Sequence, residues 1–421
     1  MEVGQMDARW AHFYQKSYRE RLDLIADFSG LNSDQVALLK TTNAKVFGHL
    51  IENYLADYAL PEGIVTNMKV NNRQYLVPMV TEEPSVIAAA SNGGKLLSGD
   101  MGIKASVKQR LLSGQIILKD ISDARQLREF ISDRQQELIE IANNSRPRIL
   151  KHGGGAKSLS VRRLDPQFYS VDLQVDSGEA MGANLVNTML EAVANELRSF
   201  GLQVTMAILS NYADKSLVHV LGKIPLSELT TSGITGQQVA SQIVDASHIA
   251  QVDVYRATTH NKGIMNGIDA AVMATGNDWR AVESAAHAYA AKDGQYKGLS
   301  TWRVNQAYLI GKMTIPMPIG FVGGATSVLP MAAINKKITR IKRVREMMEV
   351  IGAIGLAQNL AALRALVTDG IQKGHMNLQL KSLAMANGTK ESELPTVVKQ
   401  LRHMTSPDST DVKKILKELR K

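Results

Sequence analysis

From Ser158 to Val175 the chain reads SLSVRRLDPQFYSVDLQV, which divides into two strand-like runs, SLSVRRL and FYSVDLQV. Upstream, Gly114–Ile121 (GQIILKDI) predicts another strand, followed by one charged helix over roughly Asp123 to Asn144. Downstream, a helix is expected from Met181 to Phe200 and a strand at Gln203–Ser210 (QVTMAILS). The order β-α-β-β-α-β is that of a ferredoxin-like module. No G-x-G-x-x-G accompanies it, so a Rossmann nucleotide domain is not supported.

On the N-terminal side, residues 16–60 predict amphipathic helices, with Leu22, Leu24, Ile25, Leu31, Val36, Leu38 and Leu39 at helical spacing. Residues 64–81 predict two strands turning at Asn71-Asn72, followed by a helix with Pro84 in its first turn. On the C-terminal side the chain is apolar and Gly-rich up to Leu329. A long helix is expected from about Glu346 to Lys373, with Gly374 as its C-cap, before a small helical appendage. The fold class is therefore α+β: a large domain (1–105 and 216–374), an inserted ferredoxin-like module (106–215) and a C-terminal helical flap (375–421).

At 421 residues the chain has length for two or three domains of ~150 residues each. It contains no cysteine, which excludes disulfides, zinc-thiolate sites, iron–sulfur clusters and a thiol nucleophile. The charged N-terminal segment lacks the apolar core of a secretory signal. The uncharged run from Thr314 to Asn335 is broken by Pro316, Pro318 and Pro330, so it predicts buried core and not a membrane span. A cytoplasmic protein is expected. The net charge of +9 is concentrated: Met331–Lys421 carries 17 basic and 8 acidic side chains, while the rest of the chain balances. The dense run Lys336–Arg345 suits phosphate-bearing partners, or else is a solvated helix face.

Several residues have chemistry available to them. Glu83, before Pro84, falls where an N-cap is expected, although Ser, Thr, Asp or Asn would cap better; its plain reading is an exposed first-turn acid. Lys262 lies among glycines and apolar residues, followed by Asn266, and such a lysine can polarise a carbonyl oxygen or simply sit on a surface loop. Asp278, in Gly276-Asn277-Asp278-Trp279, reads locally as a helix cap. His375 stands just past the predicted C-cap at the hinge into the flap, where an imidazole can deliver a proton. The nine histidines show no paired metal spacing, so no metal site is expected. Small residues around Gly182 open a helix whose backbone N–H groups can approach a phosphate.

Together and in order, these segments resemble 3-hydroxy-3-methylglutaryl-coenzyme A reductase of the soluble bacterial class. The resemblance rests on Ile51-Glu52-Asn53-Tyr54, Pro78–Ser85, Glu179–Asn184, Asn261-Lys262, Gly276–Arg280, Val322–Thr326 and Gly374-His375-Met376. It implies two hydride transfers that convert a thioester, through mevaldehyde, into an alcohol in the mevalonate pathway of isoprenoid biosynthesis. It further implies that Lys262 stabilises the oxyanion, Asp278 tunes that lysine, and Glu83 donates a proton from a site shielded from water. His375 would protonate the departing coenzyme A thiolate. Glu52, Asn53, Ser85, Asn211, Arg256 and Asn266 would hold the substrate. Lys157, Ser158, Glu179, Met181, Gly182, Asn184, Gly323, Gly324 and Thr326 would hold the cofactor. NADPH is expected over NADH, because Ser158 stands where NADH-using relatives carry an Asp, and Lys157 precedes it. The implied assembly is a homodimer, or a higher even oligomer, with the active site at the interface. A coenzyme A-dependent lyase or acyltransferase would need a nucleophile or metal that is not found. A nucleic-acid-binding ferredoxin-like protein would need an aromatic stacking platform that the strands lack.

Overall fold

The computed structural model describes residues 8–43, 47–99, 102–231, 233–368, 370 and 380–420. The chain forms two compact units, one ending at Pro61 and one beginning at Glu62. The first contains α1 (Tyr18–Ser29) and α2 (Ser33–Thr41). Ser17 with Glu20 and Asn32 with Gln35 form reciprocal capping boxes, which fix both helix starts. Of the seven apolar positions expected to build these helices' core face, only Leu22 is fully buried, and Leu38 is 63% exposed.

The second unit begins with a hairpin, β1 (Glu62–Val70) and β2 (Arg73–Val80). Asn71 and Asn72 form its turn with φ of +48° and +67°, the left-handed pair that a two-residue hairpin requires and asparagine tolerates. Helix α3 (Val86–Leu96) follows, then the short β3 (Lys104–Ser106). Its N-cap is Ser85, not Glu83, so Pro84 stands just outside the helix.

The next stretch comprises β4 (Leu112–Lys119), α4 (Ala124–Asp133), α5 (Gln135–Ser145), β5 (Gly155–Arg163), β6 (Phe168–Asp176), α6 (Ala183–Ser199) and β7 (Gln203–Leu209). The charged helix predicted as continuous is two helices, with Arg134 between them at φ −99°, ψ 9°. The break lets α4 cover β5 while α5 packs on α6. The sheet order is β5-β6-β4-β7, antiparallel throughout, with its own apolar core including Ile116, Leu138, Leu173 and Leu190.

The chain then returns through β8 (Leu217–Pro225), α7 (Gly236–Val252), α8 (Val254–Ala274), α9 (Trp279–Ala290), β9 (Ser300–Asn305) and β10 (Tyr308–Pro316). After α10 (Ala325–Val328) and α11 (Pro330–Thr339) comes α12 (Val344–Val367), which ends six residues before Lys373. Strands run β3-β8-β10-β9, and α12 packs on this sheet and against α3 and α8. Because it is surrounded, α12 is apolar around most of its circumference. Its crossing with α3 needs Gly93, where a Cβ would lie 2.0 Å from the Ala357 carbonyl oxygen. Beyond α12, α13 (Leu394–Leu401) and α14 (Ser409–Leu419) share a small core of Val397, Leu401, Val412 and Ile415.

Candidate functional site

Helices α3, α8 and α12 enclose a cavity of about 350 Å³, lined among others by Glu83, Ser85, Arg256, His260, Lys262, Asn266 and Gln358. The spacing on α8 explains the grouping: Arg256, His260, Gly263 and Asn266 recur every three or four residues, so one helix face carries them. Glu83 arrives on the loop before α3, its N–H held by Thr81 Oγ1 at 3.1 Å. Lys262 Nζ donates to Glu83 Oε2 at 2.7 Å, joining residues far apart in sequence. Both remain open to solvent, Glu83 at 37% and Lys262 at 60% of the side chain. Among the described residues, none shields the pair from water.

The cavity wall carries unspent hydrogen-bonding capacity. Ser85 Oγ, His260 Nδ1 and Gln358 Oε1 are buried and without a hydrogen-bond partner. A buried polar atom left unpaired is costly, and these three belong to residues that line the cavity. Ser85 is held at φ +74° to enter that wall. Arg256 is half-buried, and burial lowers its proton affinity. His260 is neutral at physiological pH, pushed down to about 4 by burial and then by Arg256. Its Nε2 lies 2.7 Å from Ser300 Oγ. His260 and Gln358 were missed from sequence; their only signal is helical spacing from Arg256 and placement on the core helix.

Asp278 accepts from the N–H groups of Arg280 and Ala281 at 3.0 and 3.2 Å and pairs with Arg280, so it does cap α9. It is not among the residues lining the cavity, nor is Asn211 in the turn after β7. Glu52 and Asn53 belong to the N-terminal unit, Asn53 at φ +54° beside the buried Tyr54, whose hydroxyl donates to Asp57. His375 lies outside the described residues.

A second cavity, about 660 Å³, lies against Ser177–Ala180, Val322 and the turn Ser145–His152, and exposes Arg146, Arg148 and His152. Of the expected cofactor residues, Glu179 lines it. Two guanidinium groups and an imidazole suit a phosphorylated ligand, and a Cβ at Gly178 would meet only Ile149 within 4 Å, so the backbone there is approachable. Lys157 and Ser158 are not in its wall; Lys157 Nζ donates instead to the carbonyls of Gly153 and Gly154. The pairing of β5 with β6 has a register irregularity between Ala156 and Ser158.

The Glu179–Asn184 and Val322–Thr326 segments meet. Ala180 bridges Val322, and Glu179 O accepts from Phe321 N–H at 2.7 Å. A Cβ at Gly320 would lie 2.1 Å from Met181 N. Glu179 Oε2 accepts from Val344 N–H at 2.7 Å, spending the carboxylate on the start of α12. Gly182 is the left-handed N-cap of α6, with Asn184 in its first turn. Thr326 Oγ1 donates to Gly323 O at 2.7 Å, and Gly324 precedes α10. Arg110 locks the junction, donating to Ser177 Oγ and to the carbonyls of Gly178, Ala180 and Ile319. Burial lowers its pKa to about 10, so it remains charged at neutral pH. Sequence reading missed Arg110 because nothing local distinguishes it from a surface arginine. Among the described residues no three His, Asp or Glu side chains are placed to hold a metal ion.

The cavity thus sets a lysine–glutamate pair beside an arginine, an arrangement suited to an anionic carbonyl compound. Residues 17–380 match the family model of hydroxymethylglutaryl-coenzyme A reductase. A 3-hydroxy-3-methylglutaryl-coenzyme A reductase of Archaeoglobus fulgidus is 40% identical over 93% of this chain and 90% of its own. A probable one from Borreliella burgdorferi is 32% identical over 97% and 95%. The class II enzyme of Streptococcus pneumoniae, solved bound to NADPH in open conformations, superposes with a TM-score of 0.76 at 43% identity, covering 96% of this chain and all of that one. The chain belongs to the hydroxymethylglutaryl-coenzyme A reductase family.

Proposed function

We propose that this protein reduces 3-hydroxy-3-methylglutaryl-coenzyme A to mevalonate and coenzyme A, consuming two NADPH, with the reacting carbonyl beside Lys262. The observation that carries the reading is the 2.7 Å Lys262–Glu83 pair in a cavity that also holds Arg256, Ser85 and Asn266. Arg256 grips the free carboxylate, which a guanidinium can do with two parallel hydrogen bonds. Ser85 Oγ and Asn266 orient the hydroxymethylglutaryl group. Lys262 holds its ammonium where negative charge develops on the carbonyl oxygen, first in the thioester and then in mevaldehyde. Glu83, already hydrogen-bonded to that ammonium, is placed to pass a proton at the aldehyde stage. Asp278 acts from the α9 start, and His375 supplies the proton to the coenzyme A thiolate.

The cavity with Arg146, Arg148 and His152 fits the cofactor's phosphates, with Glu179–Asn184 and Val322–Thr326 beside it. When bound, NADPH supplies the hydride. Arg146 and Arg148 replace Lys157 as the residues expected to favour a 2′-phosphate.

Separate apolar cores support a division into a large domain, an inserted module of 106–215 and a flap from 375. The exposure of Glu83 and Lys262 supports a homodimer whose second copy covers the site. A cytoplasmic location is part of this reading; α12 is long and apolar enough to span a membrane, yet 72% of its apolar window is buried, as in a core helix.

The test is to mix the purified protein with hydroxymethylglutaryl-coenzyme A and NADPH and follow the reduced nicotinamide. Two equivalents consumed per coenzyme A released are expected. Coenzyme A release without nicotinamide oxidation would favour a lyase or transferase and reject the proposal.

A further inference from the structure

Where α8, α12 and β9 meet, four polar side chains are buried together: His260, Asn359, Ser300 and Trp302. Trp302 Nε1 lies 2.7 Å from Asn359 Oδ1, and Ser300 Oγ lies 2.8 Å from the same oxygen. His260 Nε2 lies 2.7 Å from Ser300 Oγ and 3.2 Å from Asn359 Nδ2. The backbone around them is pinned. Gln251 donates to the carbonyls of Gly298 and Ser300, both at 3.1 Å, and Asn261 holds Lys297 O at 2.9 Å and Leu299 N–H at 2.8 Å. Gly311, opposite Trp302 on β10, makes room for the indole, since a Cβ there would lie 2.5 Å from the ring.

These contacts leave one way to place the protons. An indole N–H only donates, so the Asn359 atom facing it is the carbonyl oxygen. That oxygen only accepts, so the Ser300 hydroxyl spends its single proton there. Ser300 Oγ then meets His260 Nε2 with lone pairs alone, and the imidazole supplies the proton of that bond. Nε2 therefore carries the hydrogen, and the longer approach of Asn359 Nδ2 adds no bond. Because His260 is neutral at physiological pH, its Nδ1 has a lone pair and no hydrogen. Nδ1 is also the buried atom left without a protein partner. A Cβ at Gly298 would lie 3.2 Å from His260 Cδ2, so the Cδ2–Nε2 edge faces β9 and Nδ1 lies on the opposite edge of a ring that lines the cavity. Ser85 and Gln358, the other cavity-lining residues with a buried unpaired atom, can donate as well as accept; His260 Nδ1 can only accept.

An uncharged acceptor of this kind selects a ligand atom that bears a hydrogen. The hydroxymethylglutaryl group offers a carboxylate and a thioester carbonyl, which only accept, and a single donor, its tertiary hydroxyl. We propose that His260 is a specificity-determining residue of the cavity: Trp302, acting through Asn359 and Ser300, holds its ring as the Nε2–H tautomer, and Nδ1 accepts the hydrogen bond of the substrate's tertiary hydroxyl. The ligand rests on the reductase reading above; the tautomer does not. Trp302, Asn359 and Ser300 are positioning residues, since they act on the ligand only through the imidazole.

The test uses the full chain and two thioesters, hydroxymethylglutaryl-coenzyme A and 3-methylglutaryl-coenzyme A, which lacks the hydroxyl. Their dissociation constants are read by calorimetry without reduced nicotinamide, so that neither is turned over. His260→Phe removes the acceptor and should lower the preference for the hydroxylated thioester by about three- to tenfold, the worth of one neutral hydrogen bond, with little change for the other. Ser300→Ala keeps the imidazole but leaves Asn359 Nδ2 as the nearest partner of Nε2, so the proton should move to Nδ1 and the preference should fall likewise. Nitrogen NMR of protein carrying labelled histidine reads the tautomer directly: the bare nitrogen of His260 should be Nδ1 in the wild type and Nε2 in Ser300→Ala. If the ring replacement impairs folding, Ser300→Ala and the wild-type spectrum decide. An undiminished preference in either folded variant, or a wild-type His260 with its proton on Nδ1, would overturn the assignment. Failure of the wild type to bind either thioester would instead reject the reductase reading, and the spectrum would still decide the tautomer.

Discussion

Lys262 has its ammonium nitrogen 2.7 Å from Glu83, and the consequence of removing it is specific. Because the side chain is 60% exposed, Lys262→Ala leaves no buried hole, and the melting temperature should stay near that of the wild type. kcat should fall by about 10²–10³-fold, the cost of losing one preorganised donor to a developing oxyanion. Arg256→Lys should instead act on substrate capture, raising KM by about tenfold with a lesser effect on kcat, because an ammonium cannot grip a carboxylate with two parallel bonds. Steady-state kinetics on both variants separates the roles; equal losses in kcat and KM for both would show that they are not separate. His260 and Gln358 show how much a residue's neighbours decide. Each is unremarkable in sequence, yet folding sets both against the cavity and leaves one polar atom of each buried and unpaired.

The turn Pro147–His152, between α5 and β5, is the element that most changes the cofactor reading. Its start follows Arg146, whose guanidinium also donates to Thr188 Oγ1 on α6 at 2.6 Å, and its side chains line the larger cavity with Glu179. Arg148→Ala should raise the KM for NADPH by about tenfold or more, as expected for a lost charge-assisted hydrogen bond, and change that for NADH much less. Lys157→Ala should leave both nearly unchanged. The reverse pattern would restore the assignment read from sequence. That assignment rests on the resemblance, in which Ser158, preceded by Lys157, stands where NADH-using relatives carry an Asp. In the structure Lys157 Nζ donates to the carbonyls of Gly153 and Gly154.

Across the molecule, the basic excess in the last 91 residues serves more than one purpose. Lys336 Nζ donates to Phe321 O at 2.7 Å and Thr326 O at 3.0 Å, and burial lowers its proton affinity, so it fastens the loop that meets Ala180. Arg345 donates to Val107 O at 2.8 Å. Lys336→Gln should therefore destabilise the fold by about 1–3 kcal/mol, the usual cost of stranding buried partners. Lys337→Gln should leave the melting temperature unchanged and reduce the salt dependence of KM for the two polyanionic substrates. Denaturant midpoints and KM measured across ionic strength check both; an unchanged salt dependence in Lys337→Gln would mean that its charge does not act on the substrates. The whole run was read from sequence as one electrostatic feature, because composition cannot tell a lysine that points at solvent from one folded over two carbonyls.

Local patterns were enough for much of the architecture. Two asparagines set the hairpin turn, alternation marked the strands, and the order of elements matched the antiparallel β5-β6-β4-β7 sheet. Glu83, Ser85, Arg256, Lys262 and Asn266 were named from the sequence and share one cavity. These succeed because backbone preference and hydrophobic periodicity act over a few residues. Tertiary structure alone decided that Glu83 pairs with Lys262, that Arg110 joins the Ser177–Ala180 turn to Ile319, and that Glu179 accepts from the first residue of α12. Each depends on contacts between chain segments distant in sequence, which no local pattern records.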